Sequence, residues 1–221
     1  MTDDGVRTEG QLDAVDRTVV AVEEGGAVHT VVTLSQSYDT DVEDLWEACT
    51  DPERLARWFA PVHGDLRRGG RYQIKGNAAG TIETCKPPHA FTATWEFDGH
   101  VSRIAVRLKA DGDGRARLTL EHTADDDPDS WATYGPGAAG VGWDLGLLGL
   151  ANHLAFGSAT PPEATAWVDS ADAQRFITDS SRKWADRSIA AGTPKHAARA
   201  ADRRTRAAFL GTDDGGDAHA R

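Results

Sequence analysis

Apolar and polar residues alternate with a period of two over much of the first half of the chain, and the spacing becomes helical in the second half. Thr18-Val19-Val20-Ala21-Val22 and Val28-His29-Thr30-Val31-Val32-Thr33-Leu34 flank Glu24-Gly25-Gly26. Two β-branched runs around a glycine pair predict a hairpin, because glycine supplies the positive φ of a tight turn. Thr40-Asp41-Val42-Glu43 has capping-box spacing and predicts a short helix with Leu45, Trp46 and Cys49 on its apolar side. Asp51-Pro52 starts a second short helix, with Asp as N-cap and Pro at the first position, carrying Leu55, Trp58 and Phe59 until Pro61 stops it. From Gly69 to His122 the pattern is β. Strands at 71–74 and 80–85 are separated by Gly76-Asn77, and Pro87-Pro88 ends the second. Phe91, Ala93, Trp95 and Phe97 then alternate with Thr92, Thr94 and Glu96. Ile104, Val106 and Leu108 continue on the next strand. After the turn at Asp111-Gly112-Asp113-Gly114, Ala116, Leu118, Leu120 and His122 share one face, opposite Arg115, Arg117, Thr119 and Glu121. This is an antiparallel meander with one buried face.

A stretch rich in Asp, Gly and Pro, residues 125–140, reads as a loop leading to the most apolar helix, 141–156. At 100° per residue, Trp143, Leu147, Leu150 and Leu154 form one stripe, and Val141, Leu145, Leu148 and Asn152 form another nearly opposite. Gly142, Gly146, Gly149 and His153 lie between them. A helix apolar on two sides is buried on two sides, so a second layer besides the sheet must cover it. The cover is expected from a helix over 171–191, ended by Gly192, and another from Thr193-Pro194 to Phe209, stopped at Gly211. The domain reading is a frayed segment 1–17, a main domain 18–157, a helical extension 158–211 packing on that domain or on a second subunit, and a disordered acidic tail 212–221.

Composition narrows the function classes. The chain has 221 residues, 35 acidic against 24 basic, for a net charge of −11. Such a surface repels phosphate backbones, so no nucleic-acid partner is expected. No apolar run reaches the roughly 20 residues of a membrane span, and Met1-Thr2-Asp3-Asp4-Gly5 lacks a signal-peptide layout. Two isolated cysteines, Cys49 and Cys85, fit a reducing compartment. A cytoplasmic protein without membrane association is expected.

The joint order of several segments resembles the helix-grip fold of the START-like (SRPBCC) superfamily, in its branch of activator-of-heat-shock-protein-90-ATPase homologues. The carrying residues are Val42-Glu43-Asp44-Leu45-Trp46, the run 50–59 from Thr50 to Phe59, Asp65-Leu66-Arg67-Arg68-Gly69-Gly70-Arg71-Tyr72, Gly80-Thr81-Ile82-Glu83 before Pro87-Pro88, Thr94-Trp95-Glu96, and Leu118-Thr119-Leu120-Glu121-His122-Thr123. They cover residues 28–156 but not the additional amino-terminal domain of the chaperone activators, and Thr40-Asp41 replaces the usual Pro before the first helix. The glycine-bearing helix and the terminal helices resemble a subgroup of arginine-rich bacterial proteins. The resemblance implies an α+β fold in which a curved antiparallel sheet wraps a long helix, leaving a cleft between them.

Pockets in such places are mostly apolar, with a few polar groups that fix orientation. Trp58, Phe59, Tyr72, Trp95, Phe97, His122, Trp143, Leu147 and Leu150 are the candidate ligand-binding residues, although aromatics at these spacings also serve as core. Each mid-helix glycine costs about 0.5–1 kcal/mol relative to alanine. The stripe at 142, 146 and 149 therefore either leaves room in the cleft or allows close approach of the 171–191 helix or a second subunit. His122 could anchor a ligand or act as a general base; alternatively a backbone carbonyl holds it for structure alone. Glu83 and Glu121 alternate away from the core and read as solvated. Arg199, Arg203, Arg204 and Arg206 read as a solvated helix side or an intersubunit ion-pair surface. There is no nucleophile–base–orienter set, no metal-ligand spacing and no phosphate loop, so no catalytic residue, metal or cofactor is expected. The leading expectation is non-catalytic binding of a small apolar or amphipathic molecule. The alternatives are a chaperone-associated ATPase-activator-like interaction protein and a cyclase or dehydratase using His122. The shared terminal cover also suggests a homodimer.

Overall fold

The computed structural model describes residues 5–24, 27–124 and 128–212. A short helix α1 (Gln11–Ala14) precedes strands β1 (Asp16–Glu24) and β2 (Ala27–Tyr38), then helices α2 (Val42–Thr50) and α3 (Pro52–Trp58). Strands β3 (Val62–Gly64), β4 (Arg71–Ile74), β5 (Ala79–Lys86), β6 (Ala90–Phe97), β7 (His100–Ala110) and β8 (Ala116–Ala124) follow. Helices α4 (Pro128–Tyr134), α5 (Gly137–Phe156), α6 (Ala171–Ala190) and α7 (Lys195–Leu210) complete the chain, with 3-10 turns at Pro162–Ala164 and Ala166–Asp169. The strands form one antiparallel sheet in the order β1-β2-β8-β7-β6-β5-β4-β3. This is the helix-grip arrangement: a curved sheet around α5, with further helices behind it.

The alternation in the sequence sets which face is dry. Ile104, Val106 and Leu108 on β7 and Leu118, Leu120 and His122 on β8 are buried against the helices, in register with one another. The opposite face is charged and largely self-paired: Arg103 with Glu83 at 2.8 Å, Arg107 with Glu121 at 2.7 Å and Arg71 with Glu96 at 2.7 Å. Glu83 and Glu121 do point away from the core, but in ion pairs rather than alone.

Several local readings change. Helix α2 is capped by Asp41, whose carboxylate accepts the Asp44 amide at 2.8 Å, while Thr40 donates to the Asp44 side chain. Asp41, one residue later, thus closes the turn without the Thr40–Glu43 box. The cap of α3 by Asp51 is as the sequence predicts. Val62–Gly64 adds a strand too short to show alternation. Within 125–140, residues 128–134 are helical and α5 begins at Gly137 rather than Val141. Proline is tolerated in a first helical turn, and Gly135, at φ 61°, separates the two helices, so breaker residues here mark helix ends instead of one loop.

Residues 5–17 are tied down, not frayed. The Asn152 side chain bonds the backbone of Arg7 in both directions, at 2.9 and 3.1 Å, and the Gln11 and Gln36 amides pair reciprocally at 2.9 and 3.1 Å. The turn expected at Gly25-Gly26 and the tail 213–221 lie outside the described residues. Helix α6 packs along α5 and α7 along α6. From the arginine cluster, Arg199 pairs with Asp186 on α6, Arg206 with Asp202, and Arg204 donates to the Thr133 carbonyl at the end of α4.

Candidate functional site

The two long flanks of α5 meet different surroundings. On one, Asp144 is almost completely buried and accepts four donors: Arg17 Nη2 at 2.6 Å and Nε at 3.1 Å, Ser180 Oγ at 2.6 Å and Trp184 Nε1 at 3.0 Å. The remaining Arg17 donor reaches the carbonyls of Leu12 and Val15. One turn earlier, a Cβ on Gly140 would lie 2.3 Å from the Trp184 ring. The missing side chain is what lets α6 approach. A lone carboxylate in the otherwise uncharged α5 was the sequence signal for this lock, and its partners, more than a hundred residues upstream and about forty downstream, gave none.

The other flank carries most of the candidate binding residues. Trp143 packs against Trp95, with centroids 5.0 Å apart, and lies nearly parallel to Phe59, at 6.2 Å and 11°. Phe59, Trp95 and Trp143 are each partly exposed, and Phe97, two residues along the inner face from Trp95, is 47% exposed. A Cβ on Gly142 would meet nothing within 4 Å, so the backbone of α5 itself borders open space there. Phe59, Trp143 and Trp95 thus form an aromatic mouth beside Gly142, with Phe97 exposed further along β6.

His122 backs this mouth. Trp143 Nε1 donates to His122 Nδ1 at 3.0 Å, and an indole N–H can only donate. Nδ1 must therefore be the acceptor, which puts the proton of the neutral ring on Nε2, 2.7 Å from Ser102 Oγ. That hydroxyl in turn donates to the Trp95 carbonyl at 3.3 Å. Burial holds the ring neutral, with its pKa pushed down to about 4. Both nitrogens are engaged, so no lone pair is left for a substrate proton. The partners that hold His122 are an indole and a hydroxyl, in place of the expected backbone carbonyl. Ser102 carried a legible signal, since it falls in phase with Ile104, Val106 and Leu108 on the inner face.

The other candidates are placed elsewhere. Leu147 and Leu150 are 3% and 0% exposed and sit in the sealed core. Trp58 is buried with its indole on the Ala48 carbonyl at 2.9 Å, and Tyr72 is buried with its hydroxyl on the Thr94 carbonyl at 2.6 Å. The cleft is thus filled around these residues, whereas it is open beside Gly142. The glycine stripe divides accordingly: a Cβ on Gly149 would fall 2.2 Å from the Trp58 carbonyl, and one on Gly146 would touch Phe59 at 3.7 Å. Within the chain the close approach at Gly149 is made by α3 rather than α6, and the free space is at Gly142.

A separate surface groove of about 510 Å³ runs between residues 8–13 and α6, where Arg175, Arg182 and Lys183 are paired with Asp172, Asp179 and Asp13. Among the described residues, no group of three or more His, Cys, Asp or Glu is placed to hold a metal ion, and no helix is long and apolar enough to cross a membrane.

The family model for activator of Hsp90 ATPase homolog 1-like proteins matches residues 39–155. The crystal structure of CalU16 from Micromonospora echinospora is 29% identical, with 79% of this chain and 98% of that chain covered at a TM-score of 0.63. Its solution structure superimposes over 81% and 97% of the two chains at a TM-score of 0.68. DynU16, described as a putative protein in the dynemicin biosynthetic locus, is 24% identical over 58% of this chain and 48% of its own, with a TM-score of 0.50, and shows a shared fold. No curated protein matches the sequence.

Proposed function

The chain belongs to the activator of Hsp90 ATPase homolog 1-like family, and from that premise we propose that it binds a small, apolar, ring-containing molecule at the aromatic mouth without catalysing a reaction on it. The observation that carries this reading is the partly exposed cluster of Phe59, Trp143 and Trp95 beside the open backbone at Gly142, with exposed Phe97 two residues along β6. Aromatic rings offer large contact area with little conformational entropy to lose, so a ligand covering them gains mainly from hydrophobic burial. The neutral, fully bonded His122 supports a binding role over an acid–base one. The occurrence of the same fold in a protein from a biosynthetic locus is consistent with a small organic ligand.

The test is a titration with N-phenyl-1-naphthylamine, a neutral aromatic probe, followed by its own fluorescence. Wild type should bind saturably. Gly142→Phe, which projects a ring from the open position, should weaken binding by at least about tenfold, or about 1.4 kcal/mol. Equal binding by wild type and Gly142→Phe would refute the site.

A further inference from the structure

The polar chain behind the mouth has a direction. Its first donor is Trp143 Nε1 and its last acceptor is the Trp95 carbonyl, with His122 and Ser102 between them, so both tryptophans of the mouth are joined by one relay of hydrogen bonds. Trp143 fixes the tautomer, because its indole N–H can only donate and Nδ1 must accept. The Ser102 hydroxyl accepts from Nε2, and losing it would leave that buried N–H without a partner and free the ring to turn. The rings agree with such a lock: His122 meets Trp143 edge-on at 73° and Trp95 at 58°, which leaves Trp143 nearly parallel to Phe59 across the open side.

We propose that His122 and Ser102 are positioning residues that hold the Trp143 indole in a single orientation, and that this rigid wall makes the site select flat ring systems over flexible alkyl chains. The inference rests on the ligand-binding reading above. A side chain already immobilised has little entropy left to lose when a ligand docks on it, and a flat ligand needs a wall at a fixed angle. An alkyl chain adapts to whichever orientation the indole takes and gains nothing from the lock.

The experiment compares wild type, His122→Phe, His122→Asn and Ser102→Ala for direct binding of N-phenyl-1-naphthylamine and for its displacement by 1-dodecanol. Phenylalanine keeps a ring but cannot accept from the indole; asparagine places an amide oxygen close to the position of Nδ1. His122→Phe should lose about three- to tenfold in affinity for the naphthylamine, while the affinity for dodecanol stays within about twofold. Its Trp143 indole N–H should also exchange faster with solvent. His122→Asn should return naphthylamine binding to within about twofold of wild type, and Ser102→Ala should fall between the two. If His122→Phe does not fold, Ser102→Ala carries the test, and wild-type selectivity with unchanged indole exchange in that variant overturns the proposal. Equal loss of both ligands in His122→Phe, or no rescue by asparagine, overturns it as well. If wild type binds neither compound, the ligand-binding reading fails first and the positioning role falls with it.

Discussion

The two flanks of α5 are lined by similar groups, a glycine, a tryptophan and one polar side chain each, yet one is closed and the other open. At Gly140 and Asp144 the polar group is charged and is met by four donors, and the glycine notch is filled by the Trp184 ring. At Gly142 and Trp143 the polar partner is a neutral imidazole, and the notch is empty. The difference lies in what covers each side. Helix α6 seals the first, whereas the second is bordered by α3 and β6, which stop short of Gly142. A glycine in a helix is therefore ambiguous until its neighbour is known.

Substitutions should break this contrast in a graded way. Asp144→Asn removes the charge that compensates buried Arg17 and should destabilise by about 3–5 kcal/mol, read as a lower denaturation midpoint in urea. The next effect depends on pH. His122 is neutral when folded, with its pKa near 4 against an ordinary 6.5, so below pH 6.5 the unfolded chain takes up a proton that the native chain refuses. Stability contributed by this group is complete above pH 6.5, declines between pH 6.5 and 4, and is lost below, by about 3 kcal/mol in total. Other groups titrate too, so the measurement is the difference between wild type and His122→Asn, which should shrink by that amount as the pH falls through the window. Gly140→Ala forces a methyl against the Trp184 ring and should cost about 1–3 kcal/mol. Gly142→Ala should instead stabilise by about 0.5–1 kcal/mol, because its methyl meets open space and the helix gains propensity. Opposite signs for two alanines two residues apart would mark the closed and open flanks directly.

The sheet was legible because alternation and register agree: Leu118 and Leu120 face Leu108 and Val106, all inward. The long helix was legible from its apolar stripes. What the sequence left ambiguous was length and partner. Residues 125–140 contain enough Asp, Gly and Pro to read as a loop, although the same residues are compatible with helix ends. The candidate site was half legible. Phe59, Trp95, Trp143 and His122 come together, but Leu147 and Leu150 share a stripe with Trp143 and are nonetheless sealed, because spacing fixes the face of a helix and not how far along it the neighbouring elements extend. The Arg17–Asp144 pair spans 127 residues, and no local pattern encodes such a contact.

The open flank is tested most directly by the indole N–H resonances of the seven tryptophans during titration with N-phenyl-1-naphthylamine. The Trp143 and Trp95 signals should shift together and saturate, while that of Trp184, locked on Asp144, should stay in place. Shifts centred on Trp184 or Trp167, with Trp143 unmoved, would contradict the account.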